Sequence, residues 1–193
     1  MNPETDPSPT RDVAPVIALT GFMAAGKSTI GRSLSRLLHW DFVDLDLEIE
    51  ARANRRIREM FEKNGEPRFR QLETKTLGQL LRSRQRPTVI ALGGGTFVQR
   101  ENAELLRARG ARVVFLALEI GELLRRCREA AGQEPHNPRP LADDETGFCA
   151  LYQQRLPFYQ RAELTVDARD KSAEQVASEI ATALGLPATG KNA

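Results

Sequence analysis

The sequence predicts an α/β fold in which a central, parallel, five-stranded sheet lies between layers of helices. Two observations support this prediction. Five short apolar runs rich in Val, Ile and Leu are typical of strands, and segments with helical spacing of apolar residues alternate with them along the chain. Such alternation favours a parallel sheet covered on both faces. Sheets of this kind bind ligands at the carboxyl ends of their strands.

Each element of this alternation has its own signal in the sequence. Strands are predicted at residues 15–20, 41–46, 88–95, 112–118 and 162–168. Helices are predicted after Lys27, at residues 48–65, 66–83, 102–110 and 121–132, and along the apolar stripe formed by Val176, Ile180 and Leu184. The two middle helices separate near Gly65, and Gly110 and Gly132 are the stop signals of the next two.

Length and composition are those of one globular domain. The chain has 193 residues, of which 40% are hydrophobic and 28% are charged. We expect the domain to span residues 15–186, after a disordered leader at 1–14 and before a flexible tail at 187–193, because both ends have little to bury. No interface signal is visible, so a monomer is the default expectation.

Charge and residue usage exclude several classes of function. A net charge of +2 gives no support for a nucleic-acid or membrane partner. The sequence shows neither a secretory signal pattern nor an apolar run long enough to cross a bilayer, which predicts a cytoplasmic protein. Cys127 and Cys149 form no disulfide framework, and His39 and His136 lie in unrelated contexts, so a zinc site is not expected.

The octapeptide GFMAAGKS, Gly21 to Ser28, lies between the first predicted strand and the first predicted helix. It matches the pattern G-x-x-x-x-G-K-[ST], and this context argues against a chance match in a turn. Backbone N–H groups would surround a β-phosphate. Lys27 would reach the β- and γ-phosphates, and the Ser28 hydroxyl would bind Mg²⁺. The sequence therefore predicts a nucleotide-binding P-loop.

The interior of this loop contains Ala24 and Ala25, where other loops of the kind often have glycine. Alanine tolerates positive φ poorly, so we expect Ala24 to adopt an ordinary backbone conformation. The two glycines that the pattern requires, Gly21 and Gly26, are both present.

Two carboxylates follow the second predicted strand, in the stretch DFVDLDLE. Many P-loop proteins bind Mg²⁺ through an aspartate at the end of a later strand, but the third and fourth predicted strands end without one. Asp44 and Asp46 are the nearest candidates, and they could divide the work between the metal and an acceptor hydroxyl. Asp46 could also cap the following helix, which is compatible with catalysis.

Three successive glycines, Gly93 to Gly95, end the third predicted strand. Such a run is either a flexible turn or a place where a substrate approaches bare backbone and its N–H donors. Its position at the ligand-binding edge of the sheet favours the second interpretation.

From about Val16 to about Leu184 the chain resembles the shikimate kinase family. The resemblance rests on GFMAAGKSTIGR, DLD, GEPRFRQLE, LGGG, RPL and QQRLPFY, which are modest alone but highly specific in this order and spacing. It implies a three-layer P-loop kinase fold of the nucleoside-monophosphate-kinase type. It also implies transfer of the ATP γ-phosphoryl group to the 3-hydroxyl of shikimate, on the route to chorismate and the aromatic amino acids.

The resemblance assigns roles in phosphoryl transfer to matching residues. Asp46 would bind the acceptor hydroxyl as the base or orienting carboxylate, and Lys27 would be a second catalytic residue. Asp44 would hold the Mg²⁺ shell through water, while Ser28 would bind the ion directly. ATP would contact the loop at Ala24, Ala25, Gly26, Lys27, Ser28 and Thr29.

The resemblance also implies a clamp for the substrate carboxylate. Arg70 and Arg155 would bind it, since guanidinium groups suit carboxylates, and Glu73 would brace Arg70. Further substrate contacts would come from Gly93, Gly94 and Gly95. Without the resemblance, an arginine such as Arg155 on an amphipathic helix is usually solvated. We assign to packing the aromatic residues Trp40, Phe158 and Tyr159.

A lid at about 130–144 would bring Arg139 onto the phosphates as a catalytic and ATP-binding residue, and would exclude water. The segment lacks apolar periodicity and contains glycine and three prolines, which also suits an ordinary surface loop. The stretch from Arg126 to Arg139 is longer than in compact family members. The family's adenine-stacking arginine therefore falls near either Arg125 or Arg126.

Other functions share part of this pattern. A gluconate kinase-like enzyme would have the P-loop and the fold, but not Arg70, the triple glycine and Arg155 together. A nucleoside-monophosphate kinase would need a base-recognition signal, which we do not find. A non-catalytic, ATP-binding regulator could lose Asp46 or Arg139 at no cost, whereas both are present here.

Overall fold

A computed structural model of the chain describes residues 14–133 and 144–187. In these ranges a five-stranded, all-parallel sheet confirms the predicted fold class. The strands are Val16–Thr20 (β1), Asp41–Asp44 (β2), Thr88–Ala91 (β3), Arg112–Ala117 (β4) and Leu164–Asp167 (β5), and their spatial order is β2-β3-β1-β4-β5. Residues 1–13 of the expected leader, most of the expected lid and the tail from residue 188 lie outside the described residues.

The described helices are Lys27–Leu38 (α1), Leu45–Ala53 (α2), Ile57–Ser83 (α3), Arg100–Ala108 (α4), Ile120–Gln133 (α5), Glu145–Tyr159 (α6) and Ala173–Ala183 (α7). The helix predicted at 48–65 is wrong as one unit, because Asn54 ends α2 in the left-handed conformation, with φ 48°. The separation near Gly65 is confirmed by φ 75° and ψ 165° inside α3. The expected stop at Gly132 is wrong, since α5 continues to Gln133.

Both faces of the sheet are buried against helices, as a parallel sheet requires. On one face, Ile17 and Leu19 of β1 belong to a core that includes side chains of α1 and α7. On the other face, Val16 and Ala18 pack in a core with side chains of α2 and α3. All five residues of β1 are buried, which makes it the central strand of the core.

The register of the sheet brings three strand ends to one level. Ala91, the last residue of β3, pairs with Leu19 in β1 and with Asp44 at the end of β2. The segments that follow β1, β2 and β3 therefore start next to one another. They carry the P-loop, the pair of aspartates and the triple glycine.

In the described part of the chain, no helix combines the length and the apolar character needed to cross a bilayer. Cys127 is buried and Cys149 is half-buried.

Candidate active site

The loop between β1 and α1 has the backbone of a phosphate cradle. Gly21 has φ 146°, and a Cβ there would lie 2.9 Å from the backbone oxygen of Leu116, so no larger residue fits. Gly26 has φ 84° and leads directly into α1 without a side-chain cap. The N–H groups of the first helical turn are consequently available to an anion. The predicted strand–loop–helix arrangement is confirmed.

Ala24 does not adopt the ordinary backbone conformation that we expected. Its φ is 61°, in the left-handed region, while the pattern's glycines also have positive φ on either side of it. The turn therefore demands a left-handed residue at this position and imposes it on an alanine. A left-handed conformation costs a residue with a Cβ about 1–2 kcal/mol.

Ala24→Gly is accordingly expected to raise the midpoint of thermal unfolding. Glycine removes the cost of the left-handed conformation, and its greater freedom in the unfolded chain takes back about 0.4–1 kcal/mol. A net gain near 1 kcal/mol corresponds to about 2–4 °C for a chain of this size. Differential scanning calorimetry measures the shift.

Ala25→Gly is the matched control, since Ala25 is fully buried and is not among the residues with positive φ. There the substitution removes a packed methyl group and relieves no strain, so the midpoint should fall. An Ala24→Gly midpoint that fell equally would contradict the assignment of strain to Ala24.

Lys27 and Ser28 place polar groups at the mouth of the loop. The Lys27 ammonium donates hydrogen bonds to the backbone oxygens of Gly21, at 3.0 Å, and Phe22, at 2.9 Å. The Ser28 hydroxyl donates to Oδ2 of Asp44 at 2.5 Å. The P-loop and the end of β2 are thus in direct contact.

Asp44, and not Asp46, is the residue that caps α2. Its Oδ1 accepts hydrogen bonds from the backbone N–H groups of Asp46, at 3.1 Å, and Leu47, at 3.4 Å. The strand that we predicted through Asp46 ends at Asp44, which puts Asp46 inside the first turn of α2. The capping role that we considered for Asp46 is therefore wrong, and its carboxyl group is left for another function.

The carboxyl group of Asp46 lies against the start of the triple glycine. A Cβ on Gly93 would be 2.6 Å from Asp46 Oδ1, so the glycine is what gives the carboxyl group its place. Burial raises the pKa of Asp46 from the ordinary 3.8 to about 6. Lys27 and Arg70 act to lower this pKa, while Asp44 and Glu73 act to raise it. A partly buried carboxyl group with such a pKa is suited to exchange a proton near neutrality.

Arg70 is held between two glutamates of its own helix. Its Nη1 donates to Glu73 Oε2 at 2.9 Å, and its Nε and Nη2 donate to Glu66 Oε1 at 3.1 and 2.9 Å. The Glu73 side chain is 1% exposed, whereas that of Glu66 is 60% exposed. The Arg70–Glu73 contact that the resemblance implies is therefore present. Glu66 occupies the outward edge of the guanidinium group, formed by Nε and Nη2. A carboxylate ligand can bind to the same edge.

The triple glycine lies between two arginines. A Cβ on Gly95 would come within 2.5 Å of Arg70 Nη2, and one on Gly94 would lie 3.7 Å from Arg155 Nη1. The guanidinium group of Arg155 is 6.0 Å from the centre of the Phe22 ring at the P-loop. The structure thus brings together two cations that are 85 positions apart in the sequence, with bare backbone between them.

Tyr159 does more than pack. Its ring stacks on Phe115 at a centroid distance of 5.4 Å, as the packing assignment predicts, but its hydroxyl also donates to the backbone oxygen of Gly94 at 2.5 Å. Burial raises the pKa of Tyr159 to about 12, so it remains a donor at neutral pH. Sequence analysis missed this contact, although the position of Tyr159 four residues after Arg155 was a usable signal.

Thr96 is a second residue that sequence analysis missed. It directly follows the triple glycine, it is fully buried, and its hydroxyl donates to Glu73 Oε1 at 2.7 Å. Since such sheets bind ligands at the carboxyl ends of their strands, the residue after the triple glycine could have been identified as a candidate.

Arg139 lies outside the described residues, and Arg125 forms ion pairs with Glu122 and Glu129.

The oxygen atoms of Ser28 and Asp44 suit Mg²⁺ carried by a nucleotide. Mg²⁺ prefers hard oxygen ligands and is usually bound by one or two protein oxygens together with phosphates and water. A hydroxyl and a carboxylate in contact beside the P-loop supply such ligands. A metal site formed by protein side chains alone would need three or more His, Cys, Asp or Glu residues close together. Within residues 14–133 and 144–187 no such group is found.

Comparison with known proteins gives a consistent result. A family model described as shikimate kinase matches residues 23–185. The shikimate kinase of Geobacter metallireducens is 40% identical over 177 residues, which cover 90% of this chain and 92% of that protein.

Solved structures are similar as well. A shikimate kinase from Acinetobacter baumannii in complex with shikimate has a TM-score of 0.77 and 34% identity, and the match covers 93% of this chain and 98% of that one. A gluconokinase from Sinorhizobium meliloti 1021 has a TM-score of 0.60 and 19% identity, over 90% of this chain and 92% of that one. The second likeness shows the shared fold alone.

Proposed function

The chain belongs to the shikimate kinase family and is an ATP-dependent kinase that phosphorylates shikimate, and we propose that the residues gathered at the ends of β1, β2 and β3 carry out this transfer. The products are shikimate 3-phosphate and ADP, on the route to chorismate and the aromatic amino acids. The single observation that best supports the proposal is the triple glycine between Arg70 and Arg155, with the half-buried Asp46 at its start.

Asp46 is the proposed base or orienting carboxylate for the acceptor hydroxyl. In its ionised form it accepts the hydrogen bond from the 3-hydroxyl and takes the proton as the oxygen bonds to phosphorus. Its position against Gly93 and its electrostatic interaction with Lys27 support this role. The base has to lie close to the phosphoryl donor, which Lys27 would bind. Asp44 cannot replace it, because its oxygens are engaged by Ser28 and by the N-terminus of α2.

Arg70 and Arg155 are the proposed clamp for the shikimate carboxylate. On binding, the carboxylate would take the place of the exposed Glu66 at Nε and Nη2 of Arg70, while the buried Glu73 keeps Nη1. The bare backbone of Gly95 lets the Arg70 guanidinium group lie directly against it, and Arg155 lies close to Gly94. The clamp fixes the distance from the carboxylate to the acceptor hydroxyl and so presents that hydroxyl to Asp46.

The P-loop is the proposed site of the ATP phosphates. Backbone N–H groups from Ala24 to Thr29 would hold the phosphate oxygens, and Lys27 would leave the carbonyl oxygens of Gly21 and Phe22 for the β- and γ-phosphates. Ser28 would bind Mg²⁺ directly and Asp44 through water; the ion supplies positive charge that neutralises the transferring phosphoryl group. We propose the same electrostatic role for Arg139, on a lid at about 130–144.

The pH dependence of turnover follows from the raised pKa of Asp46. The base works as the carboxylate, and its pKa of about 6 means that the protonated form accumulates as the pH falls through that value. We therefore expect kcat, measured with saturating ATP, Mg²⁺ and shikimate between pH 5 and 9, to decline about tenfold per pH unit below about 6. A carboxylate with the ordinary pKa of 3.8 would leave kcat constant down to about pH 5.

An assay of ADP release tests the proposed function. We expect ADP to form with ATP, Mg²⁺ and shikimate together, and not when shikimate is replaced by gluconate or AMP or when Mg²⁺ is withheld. Phosphorylation of gluconate would contradict the proposed substrate site while leaving the P-loop assignment in place.

We extend the proposal to location and assembly. We propose that the enzyme acts in the cytoplasm, because it uses ATP as the phosphoryl donor. A monomer is favoured because, in the part of the chain that is described, Leu47 is the large hydrophobic residue that stands exposed. Light scattering during size-exclusion chromatography should give the mass of one chain, about 21.5 kDa, and twice that mass would overturn the assignment.

A further inference from the structure

A buried hydrogen-bonded chain runs behind the proposed carboxylate clamp. The Thr96 hydroxyl donates to Glu73 Oε1 at 2.7 Å, and Glu73 Oε2 accepts from Arg70 Nη1 at 2.9 Å. Thr96 and Glu73 are both fully buried, and the side chain of Arg70, the last member of this series of hydrogen bonds, is 16% exposed. The two oxygens of one carboxylate are therefore divided between a hydroxyl behind and a guanidinium group in front.

The backbone of Thr96 is fixed on both sides, so its hydroxyl has a defined position. Its N–H donates to the backbone oxygen of Gly93 at 3.1 Å, and its own backbone oxygen accepts from the buried Asn102 side chain at 3.0 Å. A Cβ on Gly93 would be 3.0 Å from the Thr96 hydroxyl oxygen and 3.3 Å from Glu73 Oε1. The turn after β3 consequently delivers the hydroxyl to the carboxylate of Glu73.

A buried carboxylate needs every donor that it has. An unpaired buried charge is costly, and hydrogen bonds to charged groups are stronger than those between neutral groups. If the Thr96 hydroxyl were lost, Glu73 Oε1 would lose its partner, and the carboxylate would gain by turning both oxygens to Arg70. The guanidinium group would then be drawn toward Glu73 and away from the orientation it presents to the substrate.

Within the described residues, the face of the Arg70 guanidinium group lies over the buried Phe69 ring, at 5.3 Å, but its outward hydrogen-bonding edge has no comparably fixed partner. Glu66, which holds Nε and Nη2, is largely exposed, and in the proposed function the substrate carboxylate takes its place. In the complex with substrate, Phe69 would limit the plane of the guanidinium group, and its rotation within that plane would depend on Glu73 and on the group that holds Glu73. That group is Thr96.

We propose that Thr96 is a positioning residue for shikimate, acting through Glu73 on the guanidinium group of Arg70. The inference rests on the proposed role of Arg70 in the carboxylate clamp. Thr96 touches neither ATP nor the transferred phosphoryl group in this scheme. Its effect should therefore appear in shikimate binding and be absent from ATP binding.

The test compares Thr96→Val with the wild-type enzyme in steady-state kinetics and in calorimetric titration with shikimate. Valine keeps the size of threonine and removes the hydroxyl. We expect the shikimate KM and dissociation constant to rise about tenfold, the effect of losing one hydrogen bond to a charged group. The ATP KM should stay within about twofold, and kcat should fall less than the shikimate KM rises.

Three further variants complete the design. Thr96→Ser should restore a shikimate KM near the wild-type value because it retains the hydroxyl. Thr96→Ala lacks both methyl and hydroxyl, so the difference between alanine and serine isolates the hydroxyl even where valine does not fold. Thr88→Val is the matched control, since Thr88 lies at the other end of β3, is fully buried, and donates its hydroxyl to the backbone oxygen of Arg86. This variant should leave the shikimate KM unchanged.

The outcomes separate this inference from the proposed function. An unchanged shikimate KM in both Thr96→Val and Thr96→Ala, or equal rises in the KM values of shikimate and ATP, would overturn the positioning role. Arg70→Ala, measured in the same series, tests the clamp on its own. If Arg70→Ala weakens shikimate binding and Thr96→Val does not, the clamp stands and only the role of Thr96 is lost.

Discussion

Asp46→Asn is expected to lower kcat by a factor of about 10²–10⁴, the usual contribution of a general base. The amide keeps the size and the polarity of the side chain but cannot accept the proton of the 3-hydroxyl. Binding of ATP should change little, because in the proposed site the nucleotide is held by the P-loop. Single-turnover kinetics and calorimetric titration with ATP in the presence of Mg²⁺ measure the two quantities separately.

The same substitution should not destabilise the protein. Folding raises the pKa of Asp46 from 3.8 to about 6. The ionised carboxylate therefore opposes folding once the pH is above that value, and an amide removes this cost at pH 7.5. We expect an unchanged or higher unfolding midpoint. This combination of lost turnover and retained stability is typical of a functional residue.

Asp41→Asn is the control for Asp46→Asn. Asp41 is the first residue of β2, at the end of that strand away from Asp46, and it pairs with Arg84 and Arg86 at 3.9 and 3.5 Å. Its loss should leave kcat at the wild-type value. An Asp46→Asn enzyme with normal turnover would show that the acceptor hydroxyl is activated by another group.

Arg70→Ala has the second large expected effect, a rise of about 100-fold in the shikimate KM. A guanidinium group that gives two charge-assisted hydrogen bonds to a carboxylate contributes roughly this much. The value of kcat should fall as well, by about tenfold, because a substrate held by Arg155 alone presents its hydroxyl less accurately. Initial rates with shikimate varied at saturating ATP give both parameters.

Two variants serve as controls for Arg70→Ala. Arg70→Lys keeps the charge near Glu73 and loses the planar fork, so it should recover stability more fully than shikimate affinity. Arg68→Ala removes an exposed arginine from the same helix whose contact is Gln71, at 3.1 Å, and it should behave as the wild type. An Arg70→Ala enzyme with an unchanged shikimate KM would place the carboxylate clamp elsewhere.

The fold could be predicted because its signals are local. Five apolar runs, the helical periodicity between them and the P-loop each lie within a few residues, and all five strands appear where they were predicted. The separation near Gly65 could also be predicted. Glycine is common just after the end of a helix and proline is common in the first turn, and here Gly65 is followed by Pro67. Boundaries were less accurate: Asn54 adopts a left-handed conformation that splits a predicted helix, and nothing in the periodicity marks that residue.

The sequence predicted which residues form the candidate site better than it predicted their contacts and backbone conformations. Which aspartate caps α2 depends on the last residue of β2, and a shift of two residues moved the cap from Asp46 to Asp44. The conformation of Ala24 follows from the turn that joins β1 to α1, and composition does not reveal it. The turn required left-handed geometry where the residue type argues against it.

The sequence offered signals for singling out Thr96 and Tyr159, but it could not show which distant residues they contact. Thr96 reaches Glu73 across 23 positions, and Tyr159 reaches Gly94 across 65 positions. Hydroxyl groups of this kind give no periodic pattern, and a buried tyrosine looks like a packing residue until its partner is known. These contacts depend on the register of the sheet, which brings the ends of β1, β2 and β3 to one level.

The most direct test of the account is a cycle that combines wild type and Arg70→Ala with shikimate and its methyl ester. The ester removes the charge from the substrate, and the variant removes the charge from the protein. We predict that the wild type prefers shikimate to the ester by about 100-fold in kcat/KM, and that in Arg70→Ala the preference falls to about tenfold or less, because only the contact of the carboxylate with Arg155 remains. An equal preference in both enzymes would contradict the pairing of Arg70 with the substrate carboxylate.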